Sequence, residues 1–354
     1  MRCSPITRSA KRRLAVDGPK LSQPLQSAGI DPDGERRTAT RQGRFDGLRR
    51  GVSVAAVAVL LPSGFAYAAA QFWLAELMSH FRLQYLALGI LLTVAAVLLR
   101  HWRFAIVALA AVVLNIVPVY GYFRGDAARF APAARTPVRI AAANVLFSNE
   151  LYGPMLRWAR EQQADVAVFV EVTARWQSEL AMLHEFPYRA YLVGSGTRGT
   201  MILSKWPMIG QPVILGVQRG APPAVGMELR VRGKSMRLVA VHARWPLTPR
   251  LARERNREFV QIARDARGAS AAWVAIGDFN SSPFSPQFAM LLERGELRRA
   301  AAGRGWLPTW PAPLLAMGIQ IDHALVSKSV RVRSFYAGLV AGSDHRPIVV
   351  DLEF

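Results

Sequence analysis

AWVAIGDFNSSPFSP, residues Ala272–Pro286, is the stretch whose reading decides the fold. Trp273–Ile276 is a short apolar run rich in β-branched and aromatic residues and closed by Gly277, the pattern of a buried strand. Such a strand carries Asp278 and Asn280 to its carboxyl end. There a carboxylate and a carboxamide two positions apart can hold an attacking or metal-bound water in one orientation. Gly, Asp and Asn are also ordinary turn formers, so GDFN alone reads equally well as a turn. The other strand ends separate the two readings.

Working outward, apolar runs end again and again in chemistry-bearing residues. VRIAAAN ends at Asn144, DVAVFVE at Glu171 and MRLVAVH at His242. Asp322 and His323 open IDHALVS, and Ser343, Asp344 and His345 precede RPIVVDLEF. Each taken alone is strand punctuation; together they place an Asn, a Glu, two His and several acids or amides at similar edges of one sheet system. Ten candidate strands, from Val138–Ala143 to Pro347–Phe354, alternate with only four candidate helices: Leu151–Gln163, Ala174–Leu183, Leu251–Ala266 and Pro286–Arg294. Short strands with few helices between them predict an α/β fold of two sheets packed face to face with helices outside.

The 354 residues divide unevenly. Hydrophobic residues make up 51% of the chain, and the excess is concentrated between Val52 and Tyr122. Three nearly uncharged runs, Gly51 to about Trp73, Leu83–Leu99 and Phe104–Tyr122, each approach the length that crosses a bilayer, and none shows the polar face of a soluble bundle helix. The expected layout is a disordered basic leader (1–50), a region of three transmembrane helices (51–124), a linker (125–136) and a globular domain (137–354). Arg44, Arg49 and Arg50 before the first helix, and Arg100 and Arg103 between the second and third, put those flanks in the cytoplasm. Three crossings then leave the C-terminal domain outside.

Net charge is +21, and the C-terminal domain shares in it, with 27 Lys/Arg against 17 Asp/Glu. Such a surface favours anionic partners: nucleic acid, phosphorylated small molecules or anionic lipid headgroups. The single cysteine, Cys3, excludes an intrachain disulfide and any Cys-based metal site.

The motifs AANVL, FVEV, VHARWP, GDFNSSP, QIDHALVS and GSDHRPIVVDL, in this order from Ala142 to Leu352, resemble those of the endonuclease/exonuclease/phosphatase superfamily. The overall layout is similar to a membrane-anchored bacterial subgroup. The resemblance implies a four-layer α/β/β/α sandwich and hydrolysis of phosphoesters with a divalent metal, Mg²⁺ or Mn²⁺. It implies Glu171 as principal metal ligand, Asn144 helping to position it and Asp344 near the metal. It also implies that Asp278 orients or deprotonates the attacking water, and that Asn280 holds that water or a phosphate oxygen. His345 would contact the scissile phosphate, Asp322 would keep His345 oriented and charged, and His242 would be a second phosphate contact. His323 is left as structural.

The expected activity is a phosphodiesterase of nuclease type in the bacterial inner membrane, with its domain on the periplasmic side. A lipid-headgroup or sugar-phosphate phosphoesterase is the alternative. From a different class, a catalytically silent module that holds an anionic ligand in the same pocket would fit the same fold; loss of Glu171, Asp278 or His345 would mark it, and all three are present. Trp306 and Trp310, in the loop Gly295–Met317, suit base stacking or a membrane-facing patch equally.

Overall fold

A computed structural model of the chain describes residues 32–124, 136–193, 199–215 and 224–354. Of the described residues, 32–48 fall in one unit and 49 onward in another; all contacts given below lie within the second. Helix α1 runs over Pro32–Phe65, so residues 32–50, expected to be disordered, are helical. From Glu35 to Leu61 no proline interrupts a run in which Arg, Ala, Val and Leu make up most of the residues, and the first apolar segment therefore extends backwards without a break. The leader's first 31 residues, and the expected linker apart from Thr136, lie outside the described residues.

Helix α2 (Trp73–Ser79) is bent by 61° from α3 (Arg82–Leu98), and α4 (Trp102–Phe123) returns alongside α3. Two stretches, Gln42–Ala68 and Trp102–Phe123, are long and apolar enough to cross a membrane; α3 reaches that length only together with α2. The helices share a polar seam: buried Asn115 donates to Ser63 Oγ (2.8 Å), and Arg82 reaches Asn115 and lies over the Tyr67 ring.

Two β–α–β units built on parallel strand pairs organise the rest. β1 (Pro137–Asn144) leads through α5 (Tyr152–Glu161) to β2 (Val166–Val172), and α6 (Ala174–Leu180) follows, its first turn capped by the Thr173 hydroxyl. β3 (Tyr188–Val193), β4 (Gly199–Ser204), β5 (Met208–Leu215) and β6 (Ala224–Val231) then lead to β7 (Lys234–His242). That strand runs through α7 (Pro249–Gly268) to β8 (Ala272–Asp278), its parallel neighbour. After α8 (Pro286–Gly295) come β9 (Leu297–Arg299), β10 (Asp322–Ser327), β11 (Arg331–Ala337) and β12 (Ile348–Glu353).

One sheet is ordered β11-β12-β1-β2-β4-β3, the other β5-β6-β7-β8-β10-β9. Alternation along the strands gives each sheet two apolar faces. The inner faces interdigitate, Ile140, Val168 and Val350 from one sheet meeting Leu238, Val274 and Ile276 from the other. The outer faces are covered by α5 and α6 on one side and by α7 and α8 on the other. The expected four-layer α/β/β/α sandwich is what the chain forms. β5 and β9 are strands that the sequence reading lacks.

The sandwich is fastened to the helices at α2. Glu76, 2% exposed, takes two 2.7 Å bonds from Arg255 of α7, itself fully buried, and a short one from the Ser285 hydroxyl, which also caps α8. His80 Nδ1 lies 2.8 Å from Ser282 Oγ, Gln84 donates to the Gly318 carbonyl (2.8 Å), and Tyr122 donates to Gln320 (3.0 Å). Arg253, Arg257 and Arg264 form the solvated face of α7, while Arg255 and Glu258 are turned inward.

Candidate active site

Parallel strands aim their carboxyl ends the same way, so the two β–α–β units deliver four side chains to one end of the sandwich: Asn144, Glu171, His242 and Asp278. The local backbone is specialised at two of these ends. Glu171 has φ of 60° and sits at a register irregularity between Val170 and Val172, which swings its carboxylate off the sheet face. A β-bulge carrying a non-glycine residue in left-handed conformation holds strain of about 1–3 kcal/mol, tolerated where the surrounding structure enforces it. At Gly277, φ is 138° and an added Cβ would lie 2.2 Å from the Val241 carbonyl oxygen, so glycine alone lets β7 approach β8 here.

Asn144 joins the two sheets. Its amide donates to Glu171 Oε1 (3.3 Å) and to Asp278 Oδ2 (3.2 Å), while its oxygen accepts from the Leu146 amide. The second Glu171 oxygen accepts from the Phe147 amide (3.1 Å), and His242 Nε2 stands 3.5 Å from the first. Burial works against ionisation of Glu171. The His242 ring, the Phe147 N–H and the Asn144 amide outweigh it and bring the carboxyl down to about 2.

Asp278 is wholly buried and stands in register with His242 on β7 and Asp322 on β10. Its Oδ1 accepts from the Asn280 backbone N–H (2.8 Å), and Asn280 Nδ2 bonds the Ala243 carbonyl (2.9 Å). His345 binds Asp322 through Nδ1 (2.9 Å) and turns Nε2 towards Asp278 (3.8 Å). Burial disfavours the imidazolium, but Asp322, Asp278 and Asp344 together raise it well above the ordinary histidine range. Burial likewise pushes Asp278 up, against the pull of His345 and with the push of Asp322. The site thus pairs a held cation with a carboxylate whose proton affinity is enhanced.

Asp278, Asp322 and His345 bring possible ligand atoms within 4.8 Å of one another. That group is already knit by its own His345–Asp322 bond. Glu171, across Asn144, adds a carboxylate, and Asp344 contributes a buried Oδ1 without a hydrogen-bond partner, its other oxygen accepting from Trp310 Nε1 (3.0 Å). The carboxylates of this group, completed by waters, suit a hard divalent cation. His323 contacts the Ser281 carbonyl and lies tilted against the Phe288 ring, a structural position. Trp310 serves as scaffold to Asp344, a role its sequence context did not signal.

Comparison with known proteins follows the same lines. The profile of the Endonuclease/Exonuclease/phosphatase family matches residues 141–345. No curated protein matches the chain significantly. Among solved structures, Danio rerio TDP2 complexed with a single-strand DNA product superposes with a TM-score of 0.53 at 13% identity, covering 61% of this chain and 98% of that one. An endonuclease/exonuclease/phosphatase from Bacteroides vulgatus gives 0.51 at 18% identity, with 62% and 99% covered. One from Beutenbergia cavernae gives 0.51 at 18%, with 62% and 72% covered. At such identities the likeness speaks for the fold. The profile match, which opens in the strand that bears Asn144 and closes on His345, takes in more than half of the chain, and by it the chain belongs to the endonuclease/exonuclease/phosphatase family and is a phosphoester hydrolase.

Proposed function

We propose a membrane-anchored, divalent-metal-dependent phosphoesterase that cleaves phosphodiesters by in-line attack of water. The observation that carries this reading is the bridge made by Asn144 between Glu171 and Asp278, with charged His345 on the far side of Asp278. Glu171, Asn144 and Asp344 would hold Mg²⁺ or Mn²⁺, which when bound supplies Lewis-acid stabilisation of the phosphoryl oxygens. Asp278, steadied by Asn280, orients the water and takes its proton as the water oxygen bonds to phosphorus. The opposite P–O bond breaks, and the leaving oxygen takes a proton from solvent. His345, kept charged by Asp322, meets the negative charge that builds on the phosphoryl oxygens, and His242 contacts the same group. Asp322 and Asn144 act as positioning residues.

Membrane anchoring is supported by the apolar length of α1 and α4, and of α3 taken together with α2. The extracytoplasmic placement is supported by the arginine flanks. Nuclease-like cleavage is favoured by the basic charge and by analogy with the DNA-bound TDP2 structure; the apolar surface near the mouth favours a membrane-held phosphodiester. The test is hydrolysis of bis-p-nitrophenyl phosphate by the full chain in detergent, with Mg²⁺, Mn²⁺ or chelator. Asp278→Ala and His345→Ala are each expected to lose at least about a hundredfold in kcat. Undiminished turnover in either variant, or turnover indifferent to chelator, refutes the assignment.

A further inference from the structure

Two apolar loops lie beside His345. The turn Ala312–Met317 exposes Leu314, Leu315 and Met317 by 63, 39 and 53%, and the loop after β11 exposes Leu339 and Val340 by 83 and 50%. Arg346, the residue after His345, ties the two together: its amide bonds the Thr309 carbonyl (2.8 Å), and its guanidinium bonds Pro308 (3.2 Å) and Gly338 (2.8 Å) carbonyls. The turn is fixed to the site at one end, where the Ala312 amide donates to the Asp344 carbonyl (2.8 Å). At its other end Gly318 accepts from Gln84 at the start of α3, and Gln320 accepts from Tyr122 at the end of α4. That end of α4 exposes Val117, Tyr120 and Phe123. Exposed apolar side chains therefore mark both ends of a hydrogen-bonded path from the membrane helices to the edge of the catalytic group. Isolated exposed apolar side chains are ordinary; a group of them tied to an anchor marks an interaction surface.

We propose that this rim contacts the bilayer and that the substrate is a lipid phosphoester, its phosphate reaching His345 while its acyl chains stay among the rim and the membrane. The proposal rests on the phosphoesterase reading above and narrows its substrate. The five side chains of the rim are aliphatic or thioether and suit acyl chains; exposed Trp306 and Trp245 offer bases an aromatic face, and cleavage of DNA in place of lipid is the outcome that would favour nucleic acid. Basic charge on the domain complements anionic headgroups.

The test uses the full chain reconstituted in vesicles of phosphatidylcholine and phosphatidylglycerol, with bis-p-nitrophenyl phosphate, single-stranded DNA and vesicle-held phosphatidylglycerol, phosphatidic acid and sphingomyelin as substrates. The parent protein is expected to cleave at least one of the lipids. L314S/L315S/M317S and L339S/V340S are expected to retain turnover of the soluble diester and to lose about tenfold or more on the lipid. Separately, the fluorescence of Leu314→Trp should be quenched by dibrominated phosphatidylcholine beyond the quenching of the parent. Parent protein that cleaves the soluble diester or DNA but no lipid, lipid activity unaffected in both rim variants, or no added quenching overturns the rim. Failure of the parent on every one of these phosphoesters with quenching intact would instead sink the phosphoesterase reading on which the substrate depends.

Discussion

Replacing Glu76 by Leu removes the carboxylate that neutralises Arg255, with both partners at most 2% exposed. Of its hydrogen bonds Arg255 would keep those to Asn256 Oδ1 (3.0 Å) and, long, to Ser281 Oγ (3.4 Å), neither partner charged, and it would keep the Phe259 ring beneath it. Breaking a buried pair from one side leaves a charge without compensation and costs about 3–5 kcal/mol. The His80–Ser282 and Gln84–Gly318 bonds that remain across the junction contribute about 1 kcal/mol each, too little to offset it. The double replacement Glu76→Leu/Arg255→Met removes both charges and is expected to recover most of the loss.

The effect reaches the chemistry because Ser281, Ser282 and Ser285 belong to the loop that leaves Asn280. With the loop released, Asn280 loses its fixed place beside Asp278, and displacement of about 1 Å costs up to about a hundredfold in rate. The assay is urea-dependent pulse proteolysis of the full chain in detergent, with kcat and KM for bis-p-nitrophenyl phosphate measured on the same samples. If Glu76→Leu matches the parent in both stability and kcat, or if the double variant falls as far as the single, the junction does not position the site.

Gly277→Ala places a methyl carbon 2.2 Å from the Val241 carbonyl oxygen at φ of 138°, so a loss of roughly 3 kcal/mol or more is expected, seen as a Tm drop of several degrees. Glu171→Gln should weaken Mg²⁺ binding at least about tenfold by titration calorimetry; unchanged affinity would move the cation to Asp278, Asp322 and His345. Glu258, buried on α7 and facing Arg244 and Arg255, is raised by burial to about 8 despite those two cations and two backbone N–H groups. Its raised folded value means stability that is full below about pH 4.5 and is lost as pH climbs through about 8, roughly 3–5 kcal/mol in all. Glu258→Gln should flatten that slope in urea midpoints measured from pH 5 to 9, and a slope unchanged by the substitution contradicts the assignment.

Strands buried on both faces announce themselves as unbroken apolar runs, so the central strands and the residues ending them were legible. β5 was not: it is an edge strand, MIGQPVIL, with a glycine, a proline and a register irregularity between Ile209 and Val213, and it never alternates cleanly. β9 is three residues long, below the length at which a period can be recognised. The inward charges of α7 were illegible for a different reason. Arg255 and Glu258 sit among exposed arginines, and only Glu76, 179 residues earlier, gives Arg255 its meaning.

Asn144 shows where the limit lies at the site itself. At the end of VRIAAAN it is as good a turn residue as a catalytic one, and nothing local separates the two readings. In the fold it donates to both Glu171 on its own sheet and Asp278 on the other, so its significance comes from the packing of the sheets. The chemistry is therefore tied to the inner core that sets their separation. A substitution such as Ile140→Ala or Ile276→Ala, remote from solvent, would loosen that core by about 2–5 kcal/mol. Where the sandwich still folds, kcat should fall more than KM rises, because the Asn144 bridge spans the interface that such a cavity relaxes.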